Sequence, residues 1–102
     1  MGIKESYELF RIASKPYGFE ILNFIYNSPK RFTDLKKICP NDKTLTIRLN
    51  DLKEARLITT RIEKIKDRDF IHYVLTETGV SILQSVQDYE AMHKVLMEER
   101  RK

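Results

Sequence analysis

The stretch Lys43-Thr44-Leu45-Thr46-Ile47-Arg48-Leu49-Asn50-Asp51-Leu52 places hydroxyls, a guanidinium, an amide and one aliphatic side chain between leucines that recur every three or four positions. That leucine spacing buries one side of a helix. It leaves Lys43, Thr44, Thr46, Ile47, Arg48, Asn50 and Asp51 wholly or partly outside. Hydroxyls can bond phosphate or base edges, Arg48 can pair with guanine or phosphate, and Ile47 can touch a thymine methyl. A helix that merely faced water would more often carry Glu and Lys pairs than the run Thr-Leu-Thr-Ile. The outer face therefore points to contact with a double-stranded DNA groove.

A second basic group follows at Arg61, Lys64, Lys66 and Arg68, with Asp67 and Asp69 interleaved. Arginine at a hairpin tip can enter a narrow minor groove, where the negative potential is enhanced, and Arg68 is the candidate for that role. Thr33 and Lys36, just ahead of the first stretch, complete the expected DNA-contacting set. Formal charge is only +4, but residues 30–68 hold twelve Lys and Arg against six Asp and Glu, while the rest holds seven against nine. A basic centre between mildly acidic ends suits a polyanion. The plain alternative is a charged surface that faces solvent.

Other chemistries find little support. His72 and His93 are far apart, with His72 expected to point out of its strand and His93 to lie on a helix seam; two histidines alone make an incomplete metal site. There is no Gly-rich phosphate loop and no distinctive carboxylate pair, so neither an enzyme nor a cofactor is expected. Cys39 is the only cysteine, which excludes an internal disulfide and fits a reducing compartment. No apolar run approaches the roughly 20 residues that span a bilayer, and the first residues lack a basic-then-apolar export pattern. A cytoplasmic, nucleoid-associated protein without a membrane partner is the expectation.

The elements that must hold these groups can be read from periodicity. At 102 residues the chain suits one domain, residues 1–102. Ile3, Tyr7, Phe10 and Ala13 form one apolar stripe on an amino-terminal helix within residues 1–15, which Lys15-Pro16 stops. Ile21, Leu22, Phe24 and Ile25 mark a second helix over about 17–27, ended by Ser28-Pro29. Arg31-Phe32 reads as a short extended piece, Thr33 as the cap of a third helix through Cys39, and Asn41 or Asp42 as the cap of a fourth over about 42–55.

From Leu57 the β-branched residues Ile58, Thr59, Thr60, Ile62 and Ile65 favour a strand. Lys66-Asp67-Arg68-Asp69 reads as a turn and Phe70–Leu75 as the returning strand, with Ile71, Tyr73 and Leu75 on the core face. Thr76 then caps a long helix over 77–100. Its Ile82, Val86, Tyr89, His93 and Leu96 recur with heptad spacing and form the expected dimerisation seam, since so long a helix cannot be covered by its own small domain.

The resulting order predicts an α+β winged helix-turn-helix: a helix-turn-helix and wing over 17–76, with a recognition helix at 42–55 and a wing at 57–75, plus a carboxy-terminal dimerisation helix. The run Thr44–Leu52, then Leu57-Ile58 and the closing Tyr73-Val74-Leu75-Thr76-Glu77-Thr78-Gly79, resembles the winged-helix regulators of the HxlR, MarR and PadR types. Domain length and Arg31-Phe32-Thr33-Asp34-Leu35 bring it nearest to HxlR. The likeness spans about residues 17–80.

It implies a homodimeric transcription factor, usually a repressor, and leaves room for a small-molecule effector. Two residues depart from the pattern. Arg56 stands where these proteins usually place glycine to leave the helix. Cys39 follows Ile38 at a helix end, whereas the redox cysteine of some HxlR-type members lies near the amino terminus. The competing reading is a winged helix used for protein contact in a larger assembly, but such modules often lose the basic charge kept here. Structured RNA is a third, without an aromatic stacking platform to favour it.

Overall fold

The structure is a computed structural model that describes residues 2–100. Five helices and one antiparallel hairpin follow in the order α1 (Ile3–Ala13), α2 (Gly18–Asn27), α3 (Phe32–Leu35), α4 (Asp42–Glu54), β1 (Ile58–Ile65), β2 (Arg68–Leu75) and α5 (Glu77–Arg100). This is the α+β winged helix-turn-helix that periodicity predicts. Its core joins Ile21, Leu22 and Ile25 of α2, Leu35 and Cys39 around α3, Leu45, Leu49 and Leu52 of α4, Leu57 and Ile58, and Leu83 of α5. Burying each of these aliphatic side chains contributes about 1.5–3 kcal/mol, so the leucine rhythm of α4 suffices to fix which face turns outward.

The α1–α2 corner is tight. Tyr17 adopts the left-handed conformation at φ 71° and turns the chain directly into α2. A Cβ on Gly18 would stand 2.1 Å from the Ala13 carbonyl oxygen, so only glycine lets the two helices meet this closely. The apolar stripe of α1 splits in its fate: Ala13 is buried, while Ile3, Tyr7 and Phe10 are exposed.

Three local expectations are corrected between residues 28 and 41. The extended piece is Lys30, which exchanges backbone hydrogen bonds with Tyr73 at 3.1 and 2.7 Å; Phe32 already begins α3. The cap of α3 is not Thr33, which lies exposed within the helix. Instead Asp34 Oδ2 accepts from the Arg31 backbone N–H at 3.0 Å. The helix ends at Leu35 rather than Cys39, and the chain continues in turns, with Ile38 N and Cys39 N both donating to the Leu35 carbonyl at 3.0 Å. At α4 the choice between two caps resolves to Asn41, whose Oδ1 accepts from Thr44 N at 2.9 Å.

At the other end of α4, Leu57 N donates to Leu52 O at 3.0 Å and Arg56 N to Lys53 O at 2.9 Å. These are the two bonds of a Schellman ending, which needs a left-handed residue at its penultimate place. Arg56 supplies it at φ 61°.

The hairpin turn is two residues, Lys66 and Asp67, at φ 50° and 64°. Arg68 is therefore the first residue of β2, paired with Ile65, rather than part of a four-residue turn. Two side chains also sit differently from expectation. Ile71 shares a face with Tyr73 and Leu75, yet only those two pack against the core; Ile71 and its cross-strand partner Ile62 are exposed because the hairpin runs past the body there. His72, expected outside, is 7% exposed. It lies on the opposite face with Phe70, where Arg31 stacks over the Phe70 ring at 4.9 Å and Glu63 Oε2 stands 3.8 Å from His72 Nε2.

Helix α5 begins where Thr76 Oγ1 accepts from Gly79 N at 3.0 Å. A Cβ on Gly79 would lie 2.1 Å from the Leu57 carbonyl oxygen. Ile82 and Leu83 pack on the core, whereas every residue from Gln87 to Arg100 is exposed. Fourteen such residues project about 21 Å at the helical rise of 1.5 Å each.

Candidate nucleic-acid interface

With Leu45, Leu49 and Leu52 fully inside, α4 turns Lys43, Thr46, Ile47 and Asn50 to the surface and leaves Thr44 half-covered. Ile47 is 49% exposed, unusual for an isoleucine at mid-helix and suited to a thymine methyl. At its amino-terminal end, Lys36 Nζ lies 3.0 Å from Asp42 Oδ1, with both side chains largely open to solvent. An exposed ion pair of this kind contributes at most about 1 kcal/mol, so Lys36 is readily released to a phosphate. Thr33 and Lys37 are exposed on the preceding segment.

Arg48 is placed otherwise. Its side chain is only 12% exposed. Nε donates to the Pro16 carbonyl oxygen at 2.7 Å and an Nη to Asp51 Oδ2 at 3.1 Å, while Lys15 Nζ stands 3.6 Å from the same carboxylate. The guanidinium that the sequence assigns to a base or phosphate is thus turned toward the α1–α2 corner.

On the wing, Lys64, Lys66 and Arg68 are exposed around the turn, and Arg61 is exposed but paired with Glu63. The wing's root is held by Lys30 and Arg31, neither of which composition singles out. Lys30 Nζ lies 4.5 Å from the centre of the Phe24 ring, and Arg31 covers Phe70. The only readable hint is Arg31 three positions before Asp34, the spacing that the observed cap uses. Burial pushes the Tyr73 phenol above its ordinary pKa at this root. Among the described residues no cluster of His, Cys, Asp and Glu could hold a metal ion.

The helix-turn-helix and the adjoining hairpin recur in proteins of known class. The HxlR-like helix-turn-helix family matches residues 12–101. The chain belongs to the HxlR-like family. Its fold superposes on a transcriptional regulator of the MarR family from Enterococcus faecalis V583 at a TM-score of 0.81 and 13% identity, covering 99% of this chain and 94% of that one. The reduced form of the regulator YodB from B. subtilis gives 0.76 and 22%, covering 89% and 90%. The HTH-type regulator ytcD gives 0.65 and 26%, covering 91% and 97%. No curated protein matches the chain.

This HxlR-like protein is accordingly a DNA-binding transcriptional regulator and not an enzyme. Among its described residues no helix is long and apolar enough to cross a membrane.

Proposed function

We propose that this HxlR-like chain acts in the cytoplasm as a homodimeric, sequence-specific repressor, laying α4 in the major groove of double-stranded DNA with the hairpin beside it. The observation that carries this reading is the open face of α4. Lys43, Thr46, Ile47 and Asn50 lie free there, with Thr44 half-covered, between the exposed Thr33 and Lys36 and the wing cations Arg61, Lys64, Lys66 and Arg68. A major groove about 12 Å wide admits such a helix. Base edges are read from α4, and the flanking cations neutralise phosphates.

The dimer rests on a second face. Ile3, Tyr7 and Phe10 of α1 and Tyr89, Met92 and Leu96 of α5 are exposed apolar side chains, and an apolar hollow lies between Phe10, Val86 and Tyr89. The seam Ile82, Val86, Tyr89, His93 and Leu96 runs from the core outward along α5, with Tyr89 and His93 stacked at 6.1 Å. A two-fold copy would cover it. A groove of about 470 Å³ between α1 and α5, lined by Ser6, Phe10, Ser81, Ile82 and Ser85, offers a small-molecule effector a place.

The test is a gel shift against DNA from immediately upstream of the protein's own gene, repeated in fluorescence titrations from low to moderate salt. Log K should fall linearly with log salt at about −0.9 per neutralised phosphate. A slope near zero would overturn the DNA reading. Repression predicts lower output from a reporter fused to the bound sequence.

A further inference from the structure

We infer that Arg48 is a positioning residue: it locks the recognition helix to the α1–α2 corner and does not itself touch DNA. This inference rests on the proposed docking of α4.

The geometry commits the guanidinium. A side chain that reads a groove must present its donors outward, yet this one is nearly nine-tenths covered and spends Nε on the Pro16 carbonyl and an Nη on Asp51. Asp51 also faces Lys15, so two cations and one carboxylate join α4 to the residues that end α1. The bond to Pro16 links positions 32 apart in sequence, so it is a tertiary tie rather than a local helix pair. Its acceptor sits at a corner with little freedom. Proline fixes its own φ, Tyr17 follows at φ 71°, and Gly18 presses on Ala13 with no room for a Cβ. The Pro16 carbonyl is therefore a rigid peg, and a planar guanidinium can bond it and the carboxylate together.

The consequence concerns the helix as a whole. Leu45, Leu49 and Leu52 fix by apolar contact which face of α4 turns outward, but such contact is not directional and leaves the last few degrees of rotation about the helix axis to polar ties. A directed bond from Arg48, placed between Ile47 and Asn50 in sequence, fixes that rotation and hence the angle at which Thr46, Ile47 and Asn50 are offered. It also ties the reading helix to α1, whose other end carries the exposed Ile3 and Tyr7. A shift in α1 on pairing or effector binding would reach α4 through this bond.

The experiment uses the full-length protein with Arg48→Met, which keeps the buried stem but removes the donors, together with Asp51→Asn and the double variant. Backbone amide shifts and hydrogen exchange of the free protein report on Lys15, Tyr17 and Gly18 and on α4, and DNA titrations across salt give affinity and slope. Faster exchange at Tyr17 and Gly18 is expected in Arg48→Met. Affinity should fall roughly tenfold, a usual size for coupling within one polar network, with the salt slope unchanged. Asp51→Asn should weaken binding in the same direction, and the double variant should be little worse than Arg48→Met alone.

A salt slope shallower by about 0.9 in Arg48→Met, the mark of one phosphate no longer neutralised, or a tighter complex in Asp51→Asn, would make Arg48 a phosphate ligand and overturn the inference. So would a corner whose exchange does not change. If the wild type shows no salt-dependent DNA binding, the docking itself fails, and the exchange of the corner still decides whether Arg48 locks α4.

Discussion

The Thr76 hydroxyl donates to the Arg56 carbonyl oxygen at 2.6 Å while accepting from the Gly79 N–H at 3.0 Å. One side chain thus caps α5 and pins the left-handed residue that ends α4, although the two lie twenty positions apart. Thr76 N adds a bond of 3.1 Å to the Leu57 carbonyl, so the recognition helix, the wing and the long terminal helix share a single joint. Any angle set at that joint is inherited by both the reading face and the projecting part of α5.

Arg56→Gly should stabilise the fold. An L-residue in the left-handed region costs roughly 1–2 kcal/mol, and glycine returns part of that gain through its freer unfolded chain. A net increase of about 1 kcal/mol corresponds to about 4–8 °C in Tm for a domain this small. Thermal unfolding followed by circular dichroism checks it, and an unchanged or lower Tm would mean that the Arg56 side chain contributes contacts that offset its backbone strain.

Gly79→Ala should act in the opposite direction. The added methyl would sit 2.1 Å from the Leu57 carbonyl oxygen, a backbone atom that accepts the Thr76 N–H and cannot move alone. Forced displacement of this kind costs about 1–3 kcal/mol. Denaturant unfolding measures the loss. Because the joint also orients α4, DNA affinity should fall under conditions where the variant remains folded.

Much of this architecture is legible in the sequence because it follows from apolar spacing. Leu45, Leu49 and Leu52, and the β-branched run from Ile58, admit only one assignment each, and α5 occupies 77–100 as its cap and length indicate. What spacing does not carry is the fate of a polar group with two possible partners. Arg48 meets the chemical profile of a base reader, yet its donors go to a carbonyl 32 positions away. His72 alternates with core residues but is covered from the other face of the hairpin, where Arg31 and Phe70 stack. Thr33 looks like a cap, but the Asp34 carboxylate reaches back to Arg31 first.

Asp67→Gly should improve stability and binding together. Lys66 and Asp67 both hold positive φ in the turn, the conformation for which hairpins favour Asn-Gly or Asp-Gly. Glycine at the second position relieves roughly 1 kcal/mol of strain, and the substitution removes an anion lying between Lys66 and Arg68. Tm should rise, and affinity for DNA should increase most at low salt, where exposed charges are least screened. A stabilised variant with unaltered affinity at every salt concentration would place the wing tip away from DNA.

The last expectation concerns the outer part of the α5 seam, from Val86 onward. Val86 lines the hollow beside Phe10 and Tyr89, and Leu96 stands exposed farther out on the same seam. Hydrophobic surface on a helix longer than its own domain can cover is best hidden by a second copy about a two-fold axis. Glutamate at both positions, Val86→Glu with Leu96→Glu, introduces charges that pairing would have to desolvate, while the core leucines stay untouched. The double variant should therefore remain folded, scatter light as a monomer, and bind DNA weakly, because the second half-site no longer benefits from an effective concentration in the millimolar range. In the wild type the half-sites should repeat at about 34–36 Å, one turn of DNA, or at a multiple of it. A wild-type chain that scatters as a monomer at tens of micromolar, or a charged variant that still pairs, would show that this helix packs elsewhere.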